Sequence, residues 1–529
     1  FRLSMMDLIK DGSDWKEIQL LAQAIEDAGA TIINTGIGWH EARIPTIATL
    51  VPRGAFSFVT AKLRGSVGVP LCTTNRINGP RVAEDILEAE QADLVSMARP
   101  FLADPELLTK SKQGRADEIN TCIGCNQACL DHTFLGKTAS CLVNPRAGHE
   151  LEFAPPTQVT QEETRKKIAV VGAGPAGLAC ATTAASLGHD VTLYDNASEI
   201  GGQFNMAKRV PGKEEFYETL RYFGVELKKR GVKVRLNHPI SKATMRDNEE
   251  RFDAWILATG VHPRTPPIPG IGHPKVLSYI DVLKHKVPVG ERVAIIGAGG
   301  IGFDVAEYLL HHNDDEDESE SKSNQHRIDE FFQQWGVDQQ NDIRGGLKPN
   351  HQSANNDSST NNNNNNNNNN RRIHLLQRKK GKLGAGLGKT TGWIHRATLA
   401  QSGRVEMIGN VSYEKVDENG NLHVKNGNTT RVLEVDNIIL CAGQESNRDL
   451  LEHNNGSSSG SGAAAAAAAA VGNVHTIGGA YKAGELDAKR AIDMGTRLAY
   501  KLTDPDNYSM KAPTSDEEIV LRLMAKWMK

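Results

Sequence analysis

The sequence predicts an α/β fold assembled from a block of barrel-type βα units, a cysteine-bearing connector and two nested nucleotide-binding domains. Three observations carry this. Apolar runs alternate with helical segments from Phe1 to about Lys112. Four of the seven cysteines, Cys122, Cys125, Cys129 and Cys141, fall within twenty residues. A strand followed by Gly-x-Gly-x-x-Gly occurs twice, starting at Gly172 and at Gly297.

The front block reads as four βα units. The runs FRLSMM, ATIINTGI, PLCTTNRI and ADLVSMARP alternate with helical stretches such as DWKEIQLLAQAIEDAG, which specifies a parallel sheet covered by helices. An open doubly wound sheet is the alternative, but polar residues crowd the C-terminal ends of the strands, as they do in a barrel. His40, Glu41 and Arg43 follow the second strand, Asn75 and Arg76 the third, Ala98 and Arg99 the fourth. Barrels bind phosphates with the loops after their last strands, so Asn75 to Arg99 is expected to clamp a flavin mononucleotide (FMN) through Arg76 and Arg99. The competing reading places both arginines in surface ion pairs. His40, at a strand end beside an acid and an arginine, is the candidate proton donor or carbonyl polariser, against the reading of a structural histidine.

The connector INTCIGCNQACLDHTFLGKTASCLVNP spaces its cysteines by two, three and eleven residues, with Pro145 close behind. That compact run suits a 4Fe-4S cluster. Structural zinc, which favours two separated Cys pairs, and unligated thiols are the alternatives. A cluster moves single electrons, so two-electron centres are expected on both sides.

After a polar linker comes KIAVVGAGPAGLACATTAASLGHDVTLYD. It gives a strand, Gly172, Gly174 and Gly177 with Pro175 and Ala176 between them, a helix, and a second strand ending in Asp195. Such glycines permit a tight turn and close approach to a pyrophosphate, and the carboxylate takes ribose hydroxyls. The second copy, RVAIIGAGGIGFDVAEYL, holds Gly297, Gly299 and Gly302. Its next strand, RIHLLQRKK, is postponed by a low-complexity insert over 313–372, acidic at first and ending in ten asparagines, which is expected to be disordered. That strand ends in Arg378 and Lys379 where the first copy has Asp195, and basic side chains there suit the 2′-phosphate of NADPH. FDAWILATG, ending in Ala258, Thr259 and Gly260, and VDNIILCAG read as returning strands. A second low-complexity insert is expected over 453–470. The closing block VHTIGGAYKAGELDAKRAIDMG supplies a turn at Gly478 and Gly479 and a helix start near Leu486 and Asp487 that could face a flavin.

A chain of 529 residues with 39% hydrophobic residues has room for about three cored domains. Its net charge of -3 without a basic block indicates neither nucleic acid nor an anionic membrane, and no apolar run approaches the length of a transmembrane helix. Cys72, Cys180 and Cys441 lie in apolar patterns, as buried thiols of a reducing compartment do. The chain opens at Phe1 without an initiator Met or a leader, so it is expected to be a fragment or a processed product, from the cytoplasm or the mitochondrion.

The stretches NTGIGWHEARIPTIA, VPRGAFSF, TTNRIN, SMARPFLADPELL, INTCIGCNQACLD, SEIGGQFNMAK, PGKEEFYETLRY and GLGKTTGWIHR together make the chain resemble the bacterial-type 2,4-dienoyl-CoA reductases of the old yellow enzyme family. The resemblance covers nearly all of the chain outside the inserts. It implies the C-terminal half of a TIM (β/α)8 barrel over 1–115 that binds FMN, and a cluster segment over 116–150. It further implies an FAD-binding domain over 167–285 and 436–505, and an NADPH-binding domain over 286–435. Electrons would pass from NADPH to FAD, to the 4Fe-4S cluster, to FMN and on to an unsaturated fatty acyl-CoA. His40 is implied as the active-site histidine, and Glu41, Ala42, Arg43, Arg53, Arg76, Ala98 and Arg99 as FMN contacts. Gly202 and Gln203 join the cofactor contacts, and the four cysteines become cluster ligands. The family's catalytic tyrosine belongs to the first four βα units, so a separate N-terminal barrel half is an expected partner. Gly479 departs from related flavoproteins, which place an acid there. An amine dehydrogenase or another enoate-type reductase of the same architecture, and a cofactor-binding subunit that reduces nothing alone, are the alternatives.

Overall fold

The computed structural model describes residues 1–39, 42–153, 165–247, 250–311, 323–348, 370–451, 473–484 and 487–504. The front block is a parallel sheet in the order β1 (Arg2–Met6), β2 (Ile33–Ile37), β3 (Leu71–Thr73), β4 (Leu94–Val95). Its registers, such as Leu3 opposite Thr35 and Ile33 opposite Leu71, follow chain order, as successive βα units require. The helix Trp15–Asp27 is started by Asp14 and Glu17, which close a reciprocal capping box. It buries Ile18, Ala22 and Ile25, one stripe at helical spacing.

The expected insert over 313–372 is corrected in part. Residues 323–348 fold, and they join the front core. Ser323 caps the helix Asn324–Trp335, and Gly336 ends it in the left-handed region at φ 65°. Phe331, Phe332, Trp335, Val337 and Leu347 pack with Met5, Met6, Leu8 and Phe56. The backbone is stitched in as well, through Leu8 N–H to the Gly345 carbonyl at 2.9 Å and Gly345 N–H to Ser13 at 3.0 Å. Arg371 and Arg372 belong to the fold too: Arg371 is buried against the carbonyls of Val289, Gly290 and Leu309, and Arg372 opens a strand. The rest of that insert's low-complexity tract and the whole of 453–470 lie outside the described residues.

Behind the connector, β5 (Lys167–Val171), β6 (Asp190–Tyr194), β7 (Lys233–Arg235), β8 (Ala254–Leu257) and the strand Asn473–Thr476 form a parallel sheet, with Asn473–Thr476 beside β8 and β5 between β8 and β6. The second parallel sheet runs Val276–Ser278, Asn437–Leu440, Arg292–Ile296, Arg372–Leu376, Val405–Ile408. Two of its strands, Val276–Ser278 and Asn437–Leu440, fall outside the 286–435 expected, because Asn437–Leu440 returns beside Arg292–Ile296 and Val276–Ser278 pairs with that return. The cysteine segment has no core of its own. Ile123, Leu142 and Val143 share one apolar cluster with Ile168, Val170 and Leu178 of the first nucleotide domain. Among the described residues no helix is long and apolar enough to cross a membrane.

Candidate functional site

The two glycine turns are built alike. A Cβ on Gly177 would fall 1.8 Å from the Gly172 carbonyl oxygen, and one on Gly302 would fall 1.9 Å from that of Gly297, so only glycine lets each helix start this close to its strand. The middle glycines, Gly174 and Gly299, face open space, which is the cradle a pyrophosphate needs. Pro175 opens the first helix and Asp195 stands at the rim, its carboxylate accepting from Ala173 N–H at 2.6 Å and Ala197 N–H at 2.8 Å. Around this turn the chain brings together three other predicted stretches. A Cβ on Gly202 would approach Gly174, and Gly172 already abuts the Ala258 carbonyl. Gly478 packs on Ala176, Gly479 on Gly260 and Val261. Thr259 donates to the Asn447 carbonyl at 2.8 Å. Gln203 points to the Tyr279 hydroxyl at 3.4 Å, which in turn reaches Gln444 at 3.3 Å, joining the two nucleotide domains. Asp487 is a helix cap that accepts from Lys489 N–H. Leu486 lies outside the described residues. Arg378 and Lys379 stand exposed just past the strand Arg372–Leu376.

Cys122, Cys125, Cys129 and Cys141 line one pocket, walled by Leu102, Ile123, Ala128, Leu142 and Val143 and edged by Arg99, Asn126 and Ser140. All four are free thiols. Burial pushes the Cys141 thiol up to about 12, with Cys122 adding like-charge repulsion, and drives Cys125 well above the ordinary range for the same reasons. Burial raises Cys129 as well, while the Arg99 guanidinium works the other way. The three raised thiols, Cys125, Cys129 and Cys141, facing one space become thiolates together most readily around a cationic centre. Among the described residues no three His, Cys, Asp or Glu side chains converge as a single metal ion demands; zinc needs sulfurs at about 2.3 Å from one point.

On the barrel face the expected phosphate clamp is corrected. Arg76 is buried, and its guanidinium donates to the Val51 carbonyl at 2.8 Å and to Glu215 at 2.7 Å. Arg53 also turns to Glu215, at 3.0 and 2.6 Å. The ion-pair reading holds for Arg76, in a buried rather than a surface form, because the carboxylate arrives from the first nucleotide domain. Arg99 donates to the Ile47 carbonyl at 2.9 Å and to Asn126 at the cysteine pocket. Arg43 lies 5.8 Å over the Trp393 ring, and Ala42 packs on the front core. Asn75, at φ 77°, reaches the Thr46 carbonyl, and Ala98 precedes the helix Arg99–Ala103. His40 and Glu41 lie outside the described residues. Two functional-looking acids escaped sequence reasoning. Glu215 sits in PGKEEFYETLRY, whose run of charges could have raised the question. Asp131, beside Cys129, accepts from Lys389 N–H at 3.2 Å and from Thr390 N–H at 2.8 Å and its hydroxyl at 2.6 Å.

The family described as pyridine nucleotide-disulphide oxidoreductase matches residues 166–478. The chain belongs to that family. The NADH:flavin oxidoreductase / NADH oxidase family matches residues 1–118, so flavin and NAD(P) are the cofactors these domains support. Among curated relatives, a metal reductase of Desulforamulus reducens is 33% identical over 441 residues, 82% of this chain and 60% of that protein. An N,N-dimethylglycine/sarcosine dehydrogenase of Chromohalobacter salexigens is 31% identical over 53% of this chain and 41% of its own length. A 2-naphthoyl-CoA reductase solved with 2-naphthoyl-CoA superposes with a TM-score of 0.74 at 25% identity, over 94% of this chain and 64% of that one. The chain thus spans less than two thirds of each of these proteins.

Proposed function

We propose that this chain is the electron-input part of an NADPH-dependent reductase of 2,4-dienoyl-CoA, with FAD and NADPH in the two glycine-turn domains, a 4Fe-4S cluster on the four cysteines and FMN on the front block. When bound, these groups supply hydride transfer and one-electron relay. The pocket shared by four thiols, fused to the first nucleotide domain on one side and touching Arg99 of the front block on the other, carries the reading. A chain ending its transfers at the nucleotide domains would have no use for it.

The residues divide the work. Gly174 and Gly299 admit a pyrophosphate backbone, and Asp195 presents a carboxylate to ribose hydroxyls. Arg378 and Lys379 take the 2′-phosphate, which favours NADPH over NADH. Arg99 places a positive charge beside Cys129 and so favours the ligating thiolate. Arg53 and Arg76 are committed to Glu215, so an FMN phosphate is assigned to Arg43, Asn75 and Arg99. His40 is assigned proton delivery to the substrate carbon. An unsaturated acyl thioester is supported by the likeness to a reductase solved with an aryl-CoA thioester.

The deciding test is an iron and acid-labile sulfide assay on chain purified under anaerobic conditions. Iron and sulfide in equal amounts are expected, and Cys125→Ser should abolish them. Zinc without sulfide overturns the assignment.

A further inference from the structure

The helix Phe216–Lys229 enters the core of the first nucleotide domain through Phe223 and Leu227. Glu215 before it and Arg221 on it, both in the stretch PGKEEFYETLRY, reach out to grip the front block and the approach to the cysteines. The Glu215 carboxylate is buried and fully engaged: one oxygen accepts from Arg53 at 3.0 Å, Arg76 at 2.7 Å and Asn78 at 3.1 Å, the other from Arg53 at 2.6 Å. The same Asn78 amide donates to the Cys122 carbonyl at 2.9 Å. Arg76 lies under the Cys122–Cys125 turn so closely that a Cβ on Gly124 would come within 3.1 Å of its guanidinium and 3.2 Å of Thr49. Further along the helix, Arg221 holds the chain leading into that turn, donating to the carbonyls of Asp117 and Ile119 and to the Thr121 hydroxyl.

We propose that Glu215 is a positioning residue for the cysteine site: it holds Arg76 and Asn78 of the barrel loop against the Cys122–Cys125 turn, and so fixes where the thiols stand relative to the barrel's C-terminal face. The loop needs such a hold. Asn75 and Arg76 are both non-glycine residues at positive φ, 77° and 52°, a conformation that persists only where the surroundings over-determine it. A neutral amide at 215 would leave the buried Arg76 guanidinium without a counter-charge, while Arg53 keeps Glu218 at 3.2 Å, and the strained loop would lose its anchor. The proposal rests on the reading of the four cysteines as cluster ligands.

The test separates the two. In the metal-free reduced chain, Cys122 alkylation and amide exchange over 120–126 are followed by mass spectrometry. Glu215→Gln is expected to speed both by about tenfold or more, as a lost buried charge partner opens the local structure, and Glu215→Asp to restore part of the protection. Asn78→Ala, which leaves the ion pairs in place, should speed Cys122 alone. Glu226→Gln is the control, since Glu226 is buried on the same helix and, among the described residues, its ion pairs are with Lys229 and Arg230. In the chain reconstituted with iron and sulfide, the midpoint potential should move in Glu215→Gln and stay in Glu226→Gln. Equal labelling in Glu215→Gln and Glu226→Gln, or faster exchange spread over the whole chain, overturns the proposal. A wild type that takes up no iron defeats the cluster reading while the labelling arm still decides the role of Glu215.

Discussion

Glu215 shows how one buried side chain contributes to the acid sensitivity of this molecule. Burial alone would raise its carboxyl, but Arg76 and Arg53 beside it bring it down to about 2. A carboxyl lowered from 4.5 contributes stability that is complete above the unfolded value and is lost as pH falls through the folded one. The contribution is on the order of 3 kcal/mol by linkage, so denaturant midpoints should fall steadily between pH 4.5 and 2. In Glu215→Ala that acid-dependent loss should vanish, and stability at pH 7 should drop by roughly 3–5 kcal/mol because Arg76 is left buried and unpaired. An unchanged acid limb in the variant would remove the ion pair from this role. Arg378 and Lys379, by contrast, are exposed, and in the proposed function they act on a ligand rather than on the fold. Replacing both with Ala should leave the melting temperature within a degree or two and shrink the NADPH preference by about tenfold or more, two charge-assisted contacts being lost. Steady-state rates with NADPH and NADH read this directly. Equal use of both by the wild type would show that this strand end does not select the 2′-phosphate.

The helix Asn324–Trp335 is the element whose structure the sequence concealed. Its apolar residues Ile328, Phe331, Phe332 and Trp335 stand at helical spacing, yet they lie between an acidic run and an asparagine tract whose composition dominates any average. Four βα units and two glycine turns were legible because their signals are local: alternation over a few residues, or three glycines in six. Glu215 was not, since its partners Arg76 and Arg53 lie 139 and 162 residues away and no spacing announces them. The same distance explains why Arg76 read as a phosphate clamp, for a strand-end arginine looks identical whether it meets a phosphate or a carboxylate. The helix itself docks through aromatic contacts, Phe332 with Phe56 at 5.3 Å between centroids and Trp335 with Trp393 at 6.0 Å. Trp335→Ala should destabilise the front block by about 3–5 kcal/mol, the usual result of emptying a fully packed aromatic site. Differential scanning calorimetry should show the loss, with NADPH-dependent dye reduction retained below the transition.

At the scale of the whole chain, the helix Gly392–Gln401 ties the second nucleotide domain to the cysteine segment and to the front core. Asp131 of the cysteine segment binds the residues just before it, Trp393 and Ile394 enter the front core, and His395 pairs with the buried Glu307 at 2.8 Å. In the proposed function, electron input is therefore assembled within the chain. The front sheet is different. Its four strands are in chain order and do not close, the β1 side is covered in part by Asn341 and Gly345, and β4 presents Leu94 at 42% exposure. A barrel site draws its ligands from strands all the way round, so this chain alone should hold FMN poorly. NADPH oxidation with an artificial dye should persist, since both nucleotide domains carry their own cores, while 2,4-dienoyl-CoA reduction should be slow. Supplying a polypeptide of four further βα units should raise FMN content and dienoyl-CoA turnover together, and His40→Ala in that assembly should then slow acyl-CoA reduction while sparing dye reduction, because proton delivery lies downstream of electron input. Both activities are measured on the isolated chain and on the mixture. Full dienoyl-CoA turnover by the chain alone would mean that four strands suffice, and that the open sheet is not what limits the reaction.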